Sequence, residues 1–188
     1  MKRKIGVVIL MVVFITMIAT TIRIIEINAR YPGPEETTYS MGETIRNEDI
    51  EITILDSRLG ELEDFKNGAI FQDSLETFYT FDFRRKVIVL DVLLENKGDT
   101  TARADMTQFV LESGSWANGW DLEFFRYLND ADLNMLEIPT NKQQKVKLGF
   151  FMYDFQLSQS DWNNIGEKPF YLVMEIYPEK QQVLLDVK

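Results

Sequence analysis

The chain has 188 residues, 45% hydrophobic and 27% charged, with no Cys and no His. It is long enough for one ordinary domain, and the missing residue types remove imidazole bases, thiol chemistry, disulfides and every thiolate or imidazole metal site. Thirty Asp+Glu against 20 Lys+Arg give a formal charge of −10, which repels phosphate backbones and excludes nucleic acid as a partner.

Ile5 to Ile22 is an uncharged run of 18 residues behind Lys2, Arg3 and Lys4. As a helix it spans roughly 27 Å, close to the hydrocarbon thickness of a bilayer. Basic residues stay on the cytoplasmic side, so the chain after the run is expected outside the cell membrane. A secretory signal peptide has the same order of parts, with Ile27-Asn28-Ala29 as the best cleavage site, and cleavage after Ala29 would release a secreted domain. A buried helix of a soluble protein is the third alternative. The favoured division is a cytoplasmic N-terminus at 1–4, a transmembrane signal-anchor helix at 5–29, a Pro-rich linker at 30–40 and an exported domain at 41–188. The linker reading rests on Pro32, Gly33 and Pro34 followed by polar residues. Residues 31–188 hold 15 basic and 29 acidic groups, a formal −14, so the exported part is strongly acidic.

Ile50, Ile52 and Ile54 alternate with Glu51 and Thr53, which predicts a half-buried strand. Gly60 to Thr80 fits neither period, and a short helix with a loop is expected there. Lys86 to Glu95 is denser in apolar residues and ends at Asn96-Lys97-Gly98-Asp99, as a central strand running into a turn would. A short strand is predicted at Phe109 to Leu111, with a hairpin turn at Asn118-Gly119 between Trp116 and Trp120. Val146, Leu148, Phe150 and Met152 alternate over Gln144 to Tyr153 and predict another strand. Further strands are expected at Phe170 to Tyr177 and Val183 to Val187, with one helix from Ser158 to Gly166 bridging two strands. The sum is about seven strands, an all-β antiparallel sandwich preceded by one N-terminal transmembrane helix. Ile52, Val89, Leu148 and Leu172 are expected to point into its core.

No catalytic residue is assigned, because with 29 acidic groups in the exported part some pair satisfies a glycosidase spacing by chance. No Gly-rich phosphate loop is present, and no cofactor is expected. Asp130, Asp132 and Asn134 stand at alternate positions like calcium ligands, but Met135 replaces the turn glycine and Asn141 the bidentate glutamate, so a solvated loop is the expectation and no metal is assigned. Trp116, Trp120, Phe124, Phe125 and Tyr127 lie within twelve residues. Core filling is the ordinary use of such rings; Trp116, Trp120, Phe124 and Tyr127 are the binding-surface candidates if exposed.

Three stretches, Tyr39 to Thr44 leading into Ile50 to Ile54, Val87 to Val92 closed by Glu95 to Asp99, and Ile138 to Phe151, resemble the immunoglobulin-like extracytoplasmic domains of unknown function in membrane-anchored proteins and lipoproteins of Gram-positive bacteria. The resemblance implies an immunoglobulin-like fold and an envelope location, with no site residues. Many such proteins carry a lipid-bearing Cys that this chain lacks, so anchoring falls to the helix. The functional expectation is a non-enzymatic binding or assembly module whose partners are the lipid bilayer and another envelope protein. The alternative is an acidic receptor or decoy for cationic peptides or cell-wall polymer.

Overall fold

The computed structural model describes residues 2–65, 83–129 and 136–188. They form two units, one ending at Glu35 and one spanning Glu36–Lys188. In the first, α1 (Lys2–Arg30) contains a stretch, Ile9–Arg30, that is long and apolar enough to cross a membrane and buries nothing within the protein. The hydroxyls of Thr16, Thr20 and Thr21 donate to the carbonyls of Val12, Thr16 and Met17 at 2.8–2.9 Å. Their polar groups are therefore satisfied inside the helix, as an apolar surrounding requires.

The second unit is a sandwich of two mainly antiparallel sheets. One contains β1 (Glu35–Ser40), β6 (Val110–Ser113), β7 (Trp116–Gly119), β10 (Phe170–Glu175) and β11 (Glu179–Leu185) in the order β1-β11-β10-β6-β7. The other contains β2 (Thr44–Asn47), β3 (Ile50–Gly60), β4 (Arg85–Asn96) and β9 (Gln143–Tyr153) in the order β2-β3-β4-β9. A two-residue pair, β5 (Ala102–Arg103) with β8 (Glu137–Ile138), closes one end. The described residues thus hold nine strands in the two sheets and two in the small pair, against about seven expected. Two of the additions are β1, in the segment read as linker, and β2, which precedes the first expected strand. β1 is polar because it is an edge strand with little to bury. Only Tyr31 to Pro34 remains between α1 and the first strand.

Ile52 and Ile54 of β3, Leu90 and Val92 of β4, and Leu148 and Phe150 of β9 meet Leu111, Phe170, Leu172 and Val183 from the facing sheet. All are at most 2% exposed, which makes this the main core. The alternation in β3 breaks at a bulge between Ile54 and Asp56, after which Ser57 and not Asp56 is the buried residue.

A second core lies on the other face of β4 and β9. α2 (Leu122–Asn129) covers it with Phe124 and Tyr127, against Val87, Val89 and Phe151, and Leu62 and Phe65 of a 3₁₀ turn (Leu62–Phe65) complete it. Burial on both faces is the reason the N-terminal half of β4 reads as a continuous apolar run. Of the four residues expected in one core, Ile52, Leu148 and Leu172 belong to the main core and Val89 to the second. Gly149 lets α2 approach: a Cβ there would stand 2.1 Å from Cδ1 of Phe124.

α2 is absent from the sequence expectation because its two-turn length gives periodicity little to register. The expected bridging helix is present as α3 (Gln159–Asn163), where the Ser158 hydroxyl accepts from Asp161 N at 3.1 Å, followed by a 3₁₀ turn at Ile165–Glu167. The hairpin turn expected at Asn118-Gly119 is corrected. Those residues belong to β7, and the chain reverses at Gly114-Ser115, with Gly114 at φ +61°. The expected Gly60 to Thr80 helix and loop is represented by the 3₁₀ turn, and residues 66–80 of it lie outside the described residues.

Candidate functional site

Asn96 ends β4 and is fully buried. Its amide nitrogen donates to the carbonyls of Thr100 and Ile138 at 2.8 and 2.7 Å, and its Oδ1 accepts from Gly98 N at 2.8 Å. One side chain thereby folds the Asn96-Lys97-Gly98-Asp99 turn and fastens it to β8. The turn also grips the β2–β3 connection, since Lys97 N donates to the Asp49 carbonyl at 2.8 Å. Gly98 permits that approach, because a Cβ would lie 2.7 Å from Cγ of Asp49. Glu48 beside it has φ +53°. On the outer surface of the turn, Lys97 Nζ sits 2.7 Å from Glu95 and 3.7 Å from Glu51. The hydrogen bond to Glu95, ahead of the attraction of both carboxylates, raises the Lys97 ammonium above its ordinary value.

This construction leaves an open cleft of about 480 Å³ at the end of the sandwich, bounded by Asn47 to Asp49, Thr100 to Asp105 and Glu175 at the end of β10. Its carboxylates, Glu48, Asp49, Asp105 and Glu175, outnumber its single cation, Arg103. Asp105 is the best fixed of them: its Oδ1 accepts from the Thr107 hydroxyl at 2.6 Å and the Thr107 N–H at 3.0 Å. Those two bonds, with Arg103 nearby, hold its carboxyl below the usual carboxylate range. It is therefore a standing negative charge. The loop behind it is anchored by Trp120, whose Nε1 donates to the Met106 carbonyl at 2.7 Å. A site of this kind attracts cationic or hydrogen-bonding groups. Among the described residues, no group of three or more acidic side chains is placed to hold a metal ion.

The four aromatic binding-surface candidates do not form a surface. Trp116, Phe124 and Tyr127 are buried, and Trp120 is half-buried against Phe125 with a ring separation of 5.4 Å. Trp116 fills the main core and meets Phe170, whereas Phe124 and Tyr127 fill the second core. The physical reason is α2 itself, which turns the apolar side of this segment onto the sheet. Asp130, Asp132 and Asn134 lie outside the described residues. The cleft was missed in the sequence because its charged residues come from three separated segments, and no local spacing joins them. The one local signal is the Asn96-Lys97-Gly98 turn, whose scaffold role depends on its distant contacts with Ile138 and Asp49.

Three solved structures are similar to this chain at low identity. A functionally unknown protein from Listeria monocytogenes EGD-e is 13% identical, with 81% of this chain and 82% of that one covered and a TM-score of 0.49. An uncharacterized beta-sandwich protein from Clostridium difficile 630 is 14% identical, with 81% and 97% covered and a TM-score of 0.46. A conserved hypothetical protein from Bacillus anthracis is 10% identical, with 77% and 94% covered and a TM-score of 0.45. No curated protein matches the sequence. The model of one family, described as a domain of unknown function (DUF5028), matches residues 36–181, almost the whole sandwich and none of α1, and the chain belongs to that family.

Proposed function

We propose that the protein is a non-enzymatic binding module, held at the cell membrane by α1, that presents its sandwich outside the cell to a neighbouring envelope protein. The basic Lys2-Arg3-Lys4 cluster ahead of the apolar run supports this orientation, and cleavage after Ala29 is the secreted alternative. The observation that carries the binding role is the open, polar cleft at the end of the sandwich. An immunoglobulin-like kinship, with the Gram-positive envelope setting it implies, belongs to the same proposal. It is supported by the β11-β10-β6-β7 order, which parallels the G-F-C-C′ strands of a variable-type sheet. The second sheet departs from that plan, because the consecutive strands β3 and β4 are neighbours in it.

Two measurements test the proposal. Protease added to cells without an outer barrier is expected to digest the chain after about Tyr31, and protection would overturn the orientation. A photo-crosslinker at Thr101, on the cleft rim, is expected to capture an envelope protein in native membranes that one at Ser115 does not. Equal capture from both positions would remove the cleft from the binding role.

A second reading, reception of cationic peptides or polymer, is favoured by the four carboxylates facing one arginine in the cleft. Lys-rich peptides are then expected to bind the full-length protein at low salt, to weaken steeply above about 0.15 M salt, and to lose affinity in Glu48→Gln/Asp49→Asn/Glu175→Gln. Binding indifferent to peptide charge would leave the acidity as a solubility device.

A further inference from the structure

We infer that the sandwich associates head to tail: an aromatic and basic patch around Arg84 and Phe155 on one copy docks against the acidic cleft of a second copy of this chain. The inference rests on the binding role of the cleft and names the partner the cleft takes.

Two surfaces of opposite character stand at opposite ends of β4. Its 12 residues run from Arg85 to Asn96, so its ends lie about 37 Å apart as a strand. Asn96 builds the cleft at one end. At the other, Arg85 faces Tyr153 in the β4–β9 ladder, and a 3₁₀ turn (Asp154–Gln156) follows Tyr153. Phe155 on that turn is 64% exposed and Phe83 is 49% exposed. The Phe155 ring centre lies 4.9 Å from that of Phe83 and 5.5 Å from that of Tyr153, with the Tyr153 and Phe155 planes within 18° of each other. Singly scattered apolar residues on a surface are ordinary, but adjoining exposed rings mark a contact surface.

Charge identifies the partner. Residues 31–188 carry a formal −14 and contain one run of three consecutive basic residues, Arg84-Arg85-Lys86, directly after Phe83. Arg84 Nε donates to Asp154 Oδ2 at 3.0 Å, and the Arg84 side chain is still 61% exposed. A guanidinium beside exposed rings fits a surface that offers both carboxylates and apolar atoms. The cleft offers both: Glu48, Asp49, Asp105 and Glu175 outnumber Arg103, and Ile50 and Ala102 are among its lining residues. Patch against patch or cleft against cleft would set like charges together, so the contact that satisfies both surfaces is patch to cleft. Every copy carries both, and such a heterologous contact closes into a ring or continues as a filament.

The chain has no Cys, so single cysteines can be crosslinked without ambiguity. Ser160→Cys marks the patch, because the Arg84 guanidinium lies 5.9 Å from the ring centre of Trp162 on the same helix, α3. Thr101→Cys marks the cleft, and Leu55→Cys, beside Val92 midway along the four-stranded sheet, is the control. Pairs of full-length variants are mixed in phosphatidylcholine vesicles and treated with a short bismaleimide. The 160–101 mixture is expected to give several-fold more mixed dimer than the 55–101 mixture, with the yield falling several-fold above about 0.15 M salt, where the Debye length is about 8 Å. Phe155→Ala and Arg84→Glu in the Ser160→Cys chain are each expected to lower the yield several-fold with unchanged melting. Pairing the Arg84→Glu chain with Glu48→Lys/Glu175→Lys in the Thr101→Cys chain is expected to restore it. Equal yields from the 160–101 and 55–101 mixtures would overturn the self-association; capture of a different envelope protein from Thr101 would then leave the binding role of the cleft intact. Efficient 160–160 or 101–101 dimers would overturn the head-to-tail arrangement, and a charge exchange that restores nothing between folded variants would overturn the pairing of Arg84 with the cleft.

Discussion

At the residue scale, a few polar side chains do work that no apolar residue can. Asn96 is fully buried and makes three hydrogen bonds to backbone groups of Gly98, Thr100 and Ile138. Asn96→Ala leaves two carbonyls and one N–H to find other partners and is expected to cost about 3 kcal/mol, measured by urea denaturation. A loss below about 0.5 kcal/mol would mean that water replaces the amide without cost. Asp105 behaves differently because it is exposed and its effect is pH-dependent. Its folded value is depressed by the Thr107 hydroxyl, the Thr107 N–H and Arg103. The associated stability is present above the unfolded value of about 3.9 and is lost as the pH falls through the folded value. Thr107→Val is expected to raise the Asp105 value, followed by NMR titration, and its destabilisation at neutral pH should shrink in acid.

At the element scale, the free edge of β9 is closed without another strand. Asn129 at the end of α2 accepts from Lys147 N at 2.7 Å and donates to Lys147 O at 2.9 Å, the two bonds a neighbouring strand would supply. Asp121 N donates to Gly149 O at 3.0 Å, and Asn118 Nδ2 donates to Phe151 O at 2.9 Å. An edge satisfied in this way is a poor template for pairing with another chain. Asn129→Ala is expected to cost about 1–3 kcal/mol and to speed hydrogen exchange at the Lys147 amide, with the β4–β9 ladder still protected. β1 is a second element with a distinct consequence, because it belongs to the sandwich and not to the tether. A chain starting at Glu35 is expected to fold with a normal melting temperature. One starting at Met41 loses the Thr37–Glu179 and Thr38–Gln182 bonds and should melt lower.

At the scale of the whole molecule, charge and apolar character are divided along the chain. The five basic groups of residues 1–30 flank and follow an uncharged run, whereas residues 31–188 carry a formal −14. Self-repulsion at that charge keeps the sandwich soluble and destabilises it mildly. Raising salt to about 0.15 M, where the Debye length is about 8 Å, is therefore expected to raise the melting temperature of the chain starting at Glu35. A melting temperature that falls on adding salt would mean that ion pairs such as Lys180–Glu112, at 2.8 Å, outweigh the repulsion.

Apolar periodicity by itself determined the membrane-length helix, the strands β3, β4, β9 and β10, and the two-layer β architecture, because each of these depends on local patterns of burial. The sequence also identified the Ser158 helix start, where the cap is a local hydrogen bond. Tertiary structure decided the rest. β1 became a strand only because β11 offers it a ladder, and its own polar residues carry no such signal. The aromatic run from Trp116 to Tyr127 went inward because β4 and β9 present a second apolar face that α2 covers. The cleft exists because the buried amide of Asn96 draws the turn after β4 and the β8 segment together, while the turn's backbone grips the β2–β3 connection. Contacts between residues more than twenty positions apart leave no period in the sequence, and these contacts set the second core and the cleft.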